Sequence, residues 1–264
     1  LAYIADFFTA VEVNTSFYRP VTTRMTESWV RRTRRAKAFR FAFKLTSTFT
    51  HDRAPYDETA VESFREGVSP VVDAGMFGCL LIQFPWSFKR TDEACDWIRR
   101  LCDDFSALPL AVEVRHQSWD DWEWRLEMGE RDVSVCRIDQ PALRGCLGVT
   151  ESPPTTRAYF RFHGRRADTW FADDVPVYER YNYLYTDAEL EPWVERMKRS
   201  ADSSDEVFVF TNNHYRGQAP ANALQLRAMI EGRPVAVPQP LADAFPQLKT
   251  IRRPSSSFPT SLFD

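Results

Sequence analysis

Seven short runs along the chain are rich in β-branched and aromatic residues, and each carries a polar residue at or next to its carboxyl end. They cover residues 10–15, 39–45, 78–84, 110–115, 133–139, 157–163 and 206–212. Several are continuous apolar runs, the pattern of strands covered on both faces in a parallel sheet. Helical spacing fills most of the intervals. Residues 22–36 carry Met25, Trp29 and Val30 among arginines, and residues 58–74 place Val61, Phe64, Val68 and Val72 on one face. Residues 92–105 repeat the pattern with Cys95, Ile98, Cys102 and Phe105. Thr186 and Glu189 form a capping box ahead of Leu190, Trp193, Val194 and Met197, and residues 218–231 form a last helix stopped by Gly232 and Pro234.

Strand and helix alternate, so the fold class is α/β with a parallel sheet. Two intervals break the rule. Residues 140–156 hold proline and glycine where a crossover helix belongs, and residues 165–185 form a long aromatic loop of the kind that often carries function. No boundary rich in Gly or Ser divides the chain, which predicts one domain over residues 1–238. Residues 239–264 are proline-rich and are expected to be a tail. A helix precedes the first visible strand, so one further strand upstream of Leu1 would bring the count to eight, that of a closed TIM-like (β/α) barrel. An open doubly wound sheet is the alternative. No Gly-rich turn follows the first strand, which argues against a dinucleotide fold.

The polar strand ends carry the candidate chemistry. Glu12 and Asn14 share a face of the first strand, Lys44 ends the second and Gln83 the third. Glu113 and Arg115 share a face of the fourth, and Asp139 ends the fifth. Arg161 and His163 share a face of the sixth, with Arg165 just beyond, and Asn212 closes the seventh ahead of Asn213 and His214. In parallel sheets and barrels this is the end at which ligands bind. Lys44, Arg115, Arg161 and Arg165 form a candidate anion grip, while Tyr18 and Trp119 are among the aromatics available to stack on a base or sugar. Glu12, Glu113, Asp139 and His163 are the candidate acid/base groups, with Glu113 or Glu12 as base and His163 as acid. The competing reading is that Glu113 and Arg115 form structural ion pairs across the interior.

Composition narrows this picture. A net charge of −3 excludes a polycationic nucleic-acid coat, although all but five of the 34 basic residues are arginine. Mean hydropathy is −0.43, and no apolar run approaches the roughly 20 residues of a bilayer span. Five scattered cysteines form no C-x-x-C pair, which favours reduced thiols in a cytoplasm. No His spacing demands a divalent metal; a site for Zn or Mn would have to assemble from separate strands. Nor is there a P-loop or a G-x-S-x-G nucleophile segment.

The motifs VEVNTSFYRP (11–20), FAFKLTSTFTH (41–51), LLIQFPWSF (80–88), AVEVRHQSW (111–119), YFRFHG (159–164) and FTNNHYRGQAPANA (210–223) resemble the YecE-like family, domain of unknown function 72. The resemblance covers nearly all of residues 1–236. It implies a TIM-like barrel of cytoplasmic bacterial or archaeal type, with no established reaction. Members usually begin with a strand bearing a Gly-Thr-Ser-Gly-Trp-like segment, which is absent here, so the first family strand is expected upstream. The ending Thr260 to Phe263 faintly resembles peptides that dock on the DNA sliding clamp, but Pro259 replaces their leading Gln. The function expected from these features is hydrolysis of a phosphate-containing substrate, an anionic small molecule or nucleic-acid fragment. The alternative is a protein that binds nucleotide or nucleic acid without chemistry.

Overall fold

All seven expected strands form, and one of them splits in two. A computed structural model describes residues 1–53 and 56–253. The chain opens with α1 (Ala2–Ala5), β1 (Ala10–Val13), α2 (Thr15–Tyr18), α3 (Thr23–Thr33) and β2 (Arg40–Lys44). It continues through α4 (Glu58–Asp73), β3 (Phe77–Gln83), α5 (Asp92–Asp104), β4 (Leu110–Glu113) and α6 (Trp122–Glu130). Then follow β5 (Val133–Val135), β6 (Arg137–Asp139), β7 (Arg157–Phe162), α7 (Asp187–Ala201), β8 (Glu206–Thr211), α8 (Gln218–Glu231) and α9 (Gln239–Ala244). The interval between β6 and β7 contains no helix, as its prolines and glycines predict.

Every strand ladder among the described residues is parallel, and the strands follow chain order as β1-β2-β3-β4-β5 and β6-β7-β8. That order has no reversal point, so the doubly wound alternative is excluded. Only Cys136 separates β5 from β6, and its N–H donates to the Val112 carbonyl. One bent strand thus passes from the first sheet to the second. The closed ring of eight is not present among the described residues: the strands divide five and three, and no ladder joins β1 to β8. A groove of about 340 Å³ lies between those two edges, walled by Ala10, Arg40, Val207, Val209 and Leu226. At its foot Glu206 spans the sheets, accepting from Arg40 Nε at 3.1 Å and Arg157 Nε at 3.0 Å. The architecture is barrel-like.

Side-chain alternation decides what fills the interior. Ala42, Cys79, Leu81, Ala111, Cys136, Ile138, Tyr159 and Phe208 form one buried cluster drawn from both sheets. Their strand neighbours Phe41, Phe43, Leu80, Ile82 and Val112 pack outward against the helices. Small residues on the inner face leave room for the rings of Tyr159 and Phe208, which lie side by side on β7 and β8 with centroids 6.1 Å apart. The cysteines are free thiols, and burial pushes Cys79 and Cys136 well above the ordinary thiol range.

The expected tail is in large part packed structure. Residues 239–252 fold back, Ala242 and Leu248 are fully buried against Val235, Val237 and Leu224, and Val235 pairs with Arg252. Proline at the first turn starts α9 rather than preventing it. The clamp-like residues Thr260 to Phe263 lie outside the described residues. No helix among the described residues is long and apolar enough to cross a membrane. The capping box of α7 forms as expected, with the Thr186 N–H donating to Glu189 at 2.9 Å. Thr186→Ala should lower unfolding free energy by about 1 kcal/mol, read as a shifted urea midpoint.

Candidate functional site

The interior cluster fixes which polar strand ends reach the barrel mouth. Two residues beyond Ala10, Ala42, Leu81, Ala111, Tyr159 and Phe210 come Glu12, Lys44, Gln83, Glu113, Arg161 and Asn212. All inherit the inward direction. Asp139 and Asn213 fall on the opposite parity, one residue past Ile138 and Asn212, and they point into the helix layer instead. Asp139 accepts from Arg165 (2.6 Å), Tyr185 (2.8 Å) and Trp193 (2.7 Å), and Asn213 donates to the Tyr183 carbonyl and Asn222. Asp139 is therefore an anchor that ties the 165–185 loop and α7 to β6. It is not a member of the mouth. Trp119 is also misplaced by the sequence: it is fully buried, its indole N–H donates to the Phe88 carbonyl, and it stacks on Phe88.

Across the interior, the remaining charges form one connected network. Arg161 donates to Glu113 Oε2 at 2.5 Å and to Glu12 Oε1 at 2.6 Å, and Tyr159 donates to the other Glu12 oxygen at 2.9 Å. Arg115 Nε donates to Glu113 Oε1 at 2.7 Å, and His163 Nε2 lies 3.2 Å from that same oxygen. Asn212 lies 3.2 Å from His163 Nδ1, so the neutral tautomer with its proton on Nε2 satisfies both contacts. Burial pushes the Glu113 carboxyl up, but Arg161 and Arg115 outweigh it and hold the group well below its ordinary range. Burial, reinforced by Arg115, lowers His163 to about 3. Just past His163 the chain turns at Gly164, at φ +89°, where any Cβ would fall 2.8 Å from the Tyr183 Cβ.

Above this network lies a cavity of about 800 Å³. Asn14, Tyr18, Lys44, Gln83, Arg115, Arg161, Asn212 and His214 line it. Glu12, Glu113 and His163 sit beneath its floor, the last two fully buried and the Glu12 side chain 7% exposed, while Asp139, Asn213, Trp119 and Arg165 stand outside it. Phe17, His51, Trp86 and Trp170 complete the wall. The sequence did not single out Phe171, Arg180 or Tyr181, which the 165–185 loop folds over the mouth. Their signal was the loop's length and aromatic content, which marks a segment without ranking its residues.

Lys44 is the one titratable group here with an open amine. The Ser16 hydroxyl lies 2.7 Å from the carbonyls of both Val13 and Lys44 and shares its one proton between them, pinning α2 to the end of β2. The Lys44 Nζ lies 3.8 Å from the Phe17 ring centroid and makes no ion pair or hydrogen bond among the described residues. Burial lowers its pKa to about 8, with repulsion from Arg161 and Arg115 adding to the shift. Burial and the Lys44 charge likewise lower His51 to about 4. Among the described residues no three His, Cys, Asp or Glu side chains come together as a metal-binding group.

The profile of the family described as "Protein of unknown function DUF72" matches residues 1–246. The chain belongs to the DUF72 family. It is 28% identical over 241 residues to the UPF0759 protein YunF of Bacillus subtilis (strain 168), covering 86% of this chain and 85% of that protein. A DUF72 structure from Thermotoga maritima MSB8 is 32% identical with a TM-score of 0.75, each chain covered to 85%. Another, from Enterococcus faecalis V583, is 26% identical with a TM-score of 0.77, each covered to 87%. The DUF72 assignment drawn from the strand-end motifs is thus borne out, and with it an α/β fold shared with these structures.

Proposed function

We propose that the mouth binds a small phosphate-bearing ligand, held by Lys44, Arg115 and Arg161. The observation that carries this reading is the charge left over at the cavity wall. Glu12 and Glu113 are both bonded to arginine below the floor, so Lys44 keeps no carboxylate of its own, and Arg180 adds a further cation at the rim. A cation removed from water without a partner favours an anion supplied from solution. The guanidinium fork of Arg115 and the point charge of Lys44 together suit phosphate.

Hydrolysis with Glu113 as base and His163 as acid is not what this geometry favours. Glu113 accepts from three cationic or polar neighbours and has no exposed surface, while His163 holds its proton against Glu113 rather than toward the cavity. Both act as positioning groups for the arginines. A second reading, a nucleotide-binding site without chemistry, is favoured by the aromatic wall of Phe17, Trp86, Trp170 and Tyr181, since bases stack on such rings.

Calorimetric titration tests both. Inorganic phosphate should bind the full chain, and Lys44→Met or Arg180→Gln should each weaken it about tenfold, the scale of one charged hydrogen bond. Unchanged binding in both variants, or no phosphate binding, would sink the anion pocket. AMP binding no tighter than phosphate would remove the nucleotide reading.

A further inference from the structure

We propose that Lys44 is a reactive amine that condenses with the carbonyl group of an anionic aldehyde or ketone seated in the mouth. This rests on the phosphate-pocket reading above and names the class of ligand more closely.

Placement comes first. Lys44 closes β2 on the inner face, its backbone is held by Ser16, and its side chain rises into the cavity beside Arg115 and Arg161. A structural lysine at such depth is expected to meet a carboxylate. Here both nearby carboxylates are bonded elsewhere: Glu12 to Arg161 and Tyr159, and Glu113 to Arg161, Arg115 and His163. What faces Lys44 is the Phe17 ring. A desolvated amine next to other cations is the setting in which lysine acts as a nucleophile toward carbonyls. The lowered pKa, about 8, keeps a useful fraction of the amine neutral near neutral pH. Phosphate on the arginines would hold the same molecule's carbonyl within reach of the amine, converting an encounter into an intramolecular step.

The chemistry balances without a co-reactant. The nitrogen lone pair of neutral Lys44 attacks the carbonyl carbon, a C–N bond forms, and the carbonyl π pair moves to oxygen. Loss of that oxygen with the two hydrogens of the amine releases one water and leaves the C=N bond. Nothing is oxidised or reduced.

Pyridoxal 5′-phosphate, which carries phosphate, ring and aldehyde together, is the probe. The full chain is incubated with it and reduced with borohydride, and the adduct is mapped by peptide mass. Lys44 should carry at least about tenfold more adduct than Lys37, Lys89, Lys198 or Lys249. Excess inorganic phosphate should suppress the Lys44 adduct, and pyridoxal without phosphate should label Lys44 correspondingly less. If phosphate binds by calorimetry but Lys44 is labelled no more than the other lysines, the imine inference fails and the pocket reading stands. If pyridoxal labels Lys44 as well as its phosphate does, the anionic class is wrong. If phosphate does not bind and Lys44 is not labelled, both readings are overturned.

Discussion

Glu113→Ala should lower the unfolding free energy by about 3–5 kcal/mol, the cost of breaking a buried ion pair by removing one partner. Glu113 has no exposed surface, and its two oxygens receive Arg161, Arg115 and His163. Arg161 is only 2% exposed and Arg115 12%, so water from the cavity replaces little of what the lost carboxylate supplied. Arg161 would keep Glu12, but Arg115 would keep only its contact near His163, between groups that repel when both are charged. Glu113→Gln retains the shape and one acceptor oxygen while turning an N–H₂ toward a guanidinium, so its loss should be smaller but still above 1 kcal/mol. Urea unfolding at neutral pH reads both, with the m-value checking that the unfolded state is unchanged. A loss below 1 kcal/mol for the alanine variant would mean that water reaches the network and that the charges are not held as described. The result also bears on function, because a carboxylate needed for folding is a poor choice for a group that must gain and lose a proton each turnover.

The fold was legible because strand and helix periodicities differ and the chain keeps to them. The strand starts at residues 10, 110, 157 and 206 match the structure, and the helix over residues 218–231 ends where Gly232 enters the left-handed region at φ +62°. Helix α6 escaped notice because Trp122, Trp124, Leu126 and Met128 alternate with charges at a period of two, which hides the helical stripe. Residues 239–252 escaped because prolines read as tail, whereas Ala242 and Leu248 are too few and too spaced to announce a buried face.

The site was half legible, and parity explains the boundary. Lys44, Arg115, Arg161 and Asn212 could be placed at one mouth by counting in twos from the small interior residues. The same count, carried from Ile138, would have sent Asp139 outward to Trp193 and Tyr185. What no count supplies is which charges neutralise one another. Whether Glu12 and Glu113 serve a ligand or an arginine depends on distances across the interior, between β1, β4 and β7, and strand-local patterns are silent there. The structural ion-pair reading of Glu113 and Arg115 is the one the distances favour.

His163 makes stability fall with acid over a window that can be stated in advance. Its ordinary pKa of 6.5 is lowered to about 3, chiefly by burial and then by Arg115. The unfolded chain therefore binds a proton that the folded chain refuses. The contribution is fully present above pH 6.5 and is lost as pH falls from there toward about 3. Each pH unit of that window costs about 1.4 kcal/mol, so the loss is steepest between the ordinary and the lowered value. Glu113 acts in the next window down: its folded pKa is depressed below 4.5, so its stabilisation persists above that value and is lost only as pH drops further. Between pH 6.5 and 5 the loss thus belongs to histidine. His51, lowered to about 4 but half-exposed, adds a smaller share after solvent screening is allowed for. His163→Gln can still donate to Glu113 and accept from Asn212, so it should fold, less stable at pH 7.5 but with a flatter decline to pH 5. His51→Gln should flatten the decline less. Urea unfolding at pH 7.5, 6.5, 5.8 and 5.0 separates the two. If His163→Gln declines as steeply as the unsubstituted chain, then His163 is protonated or hydrated in the folded protein. The sealed floor beneath the cavity would then have to be abandoned.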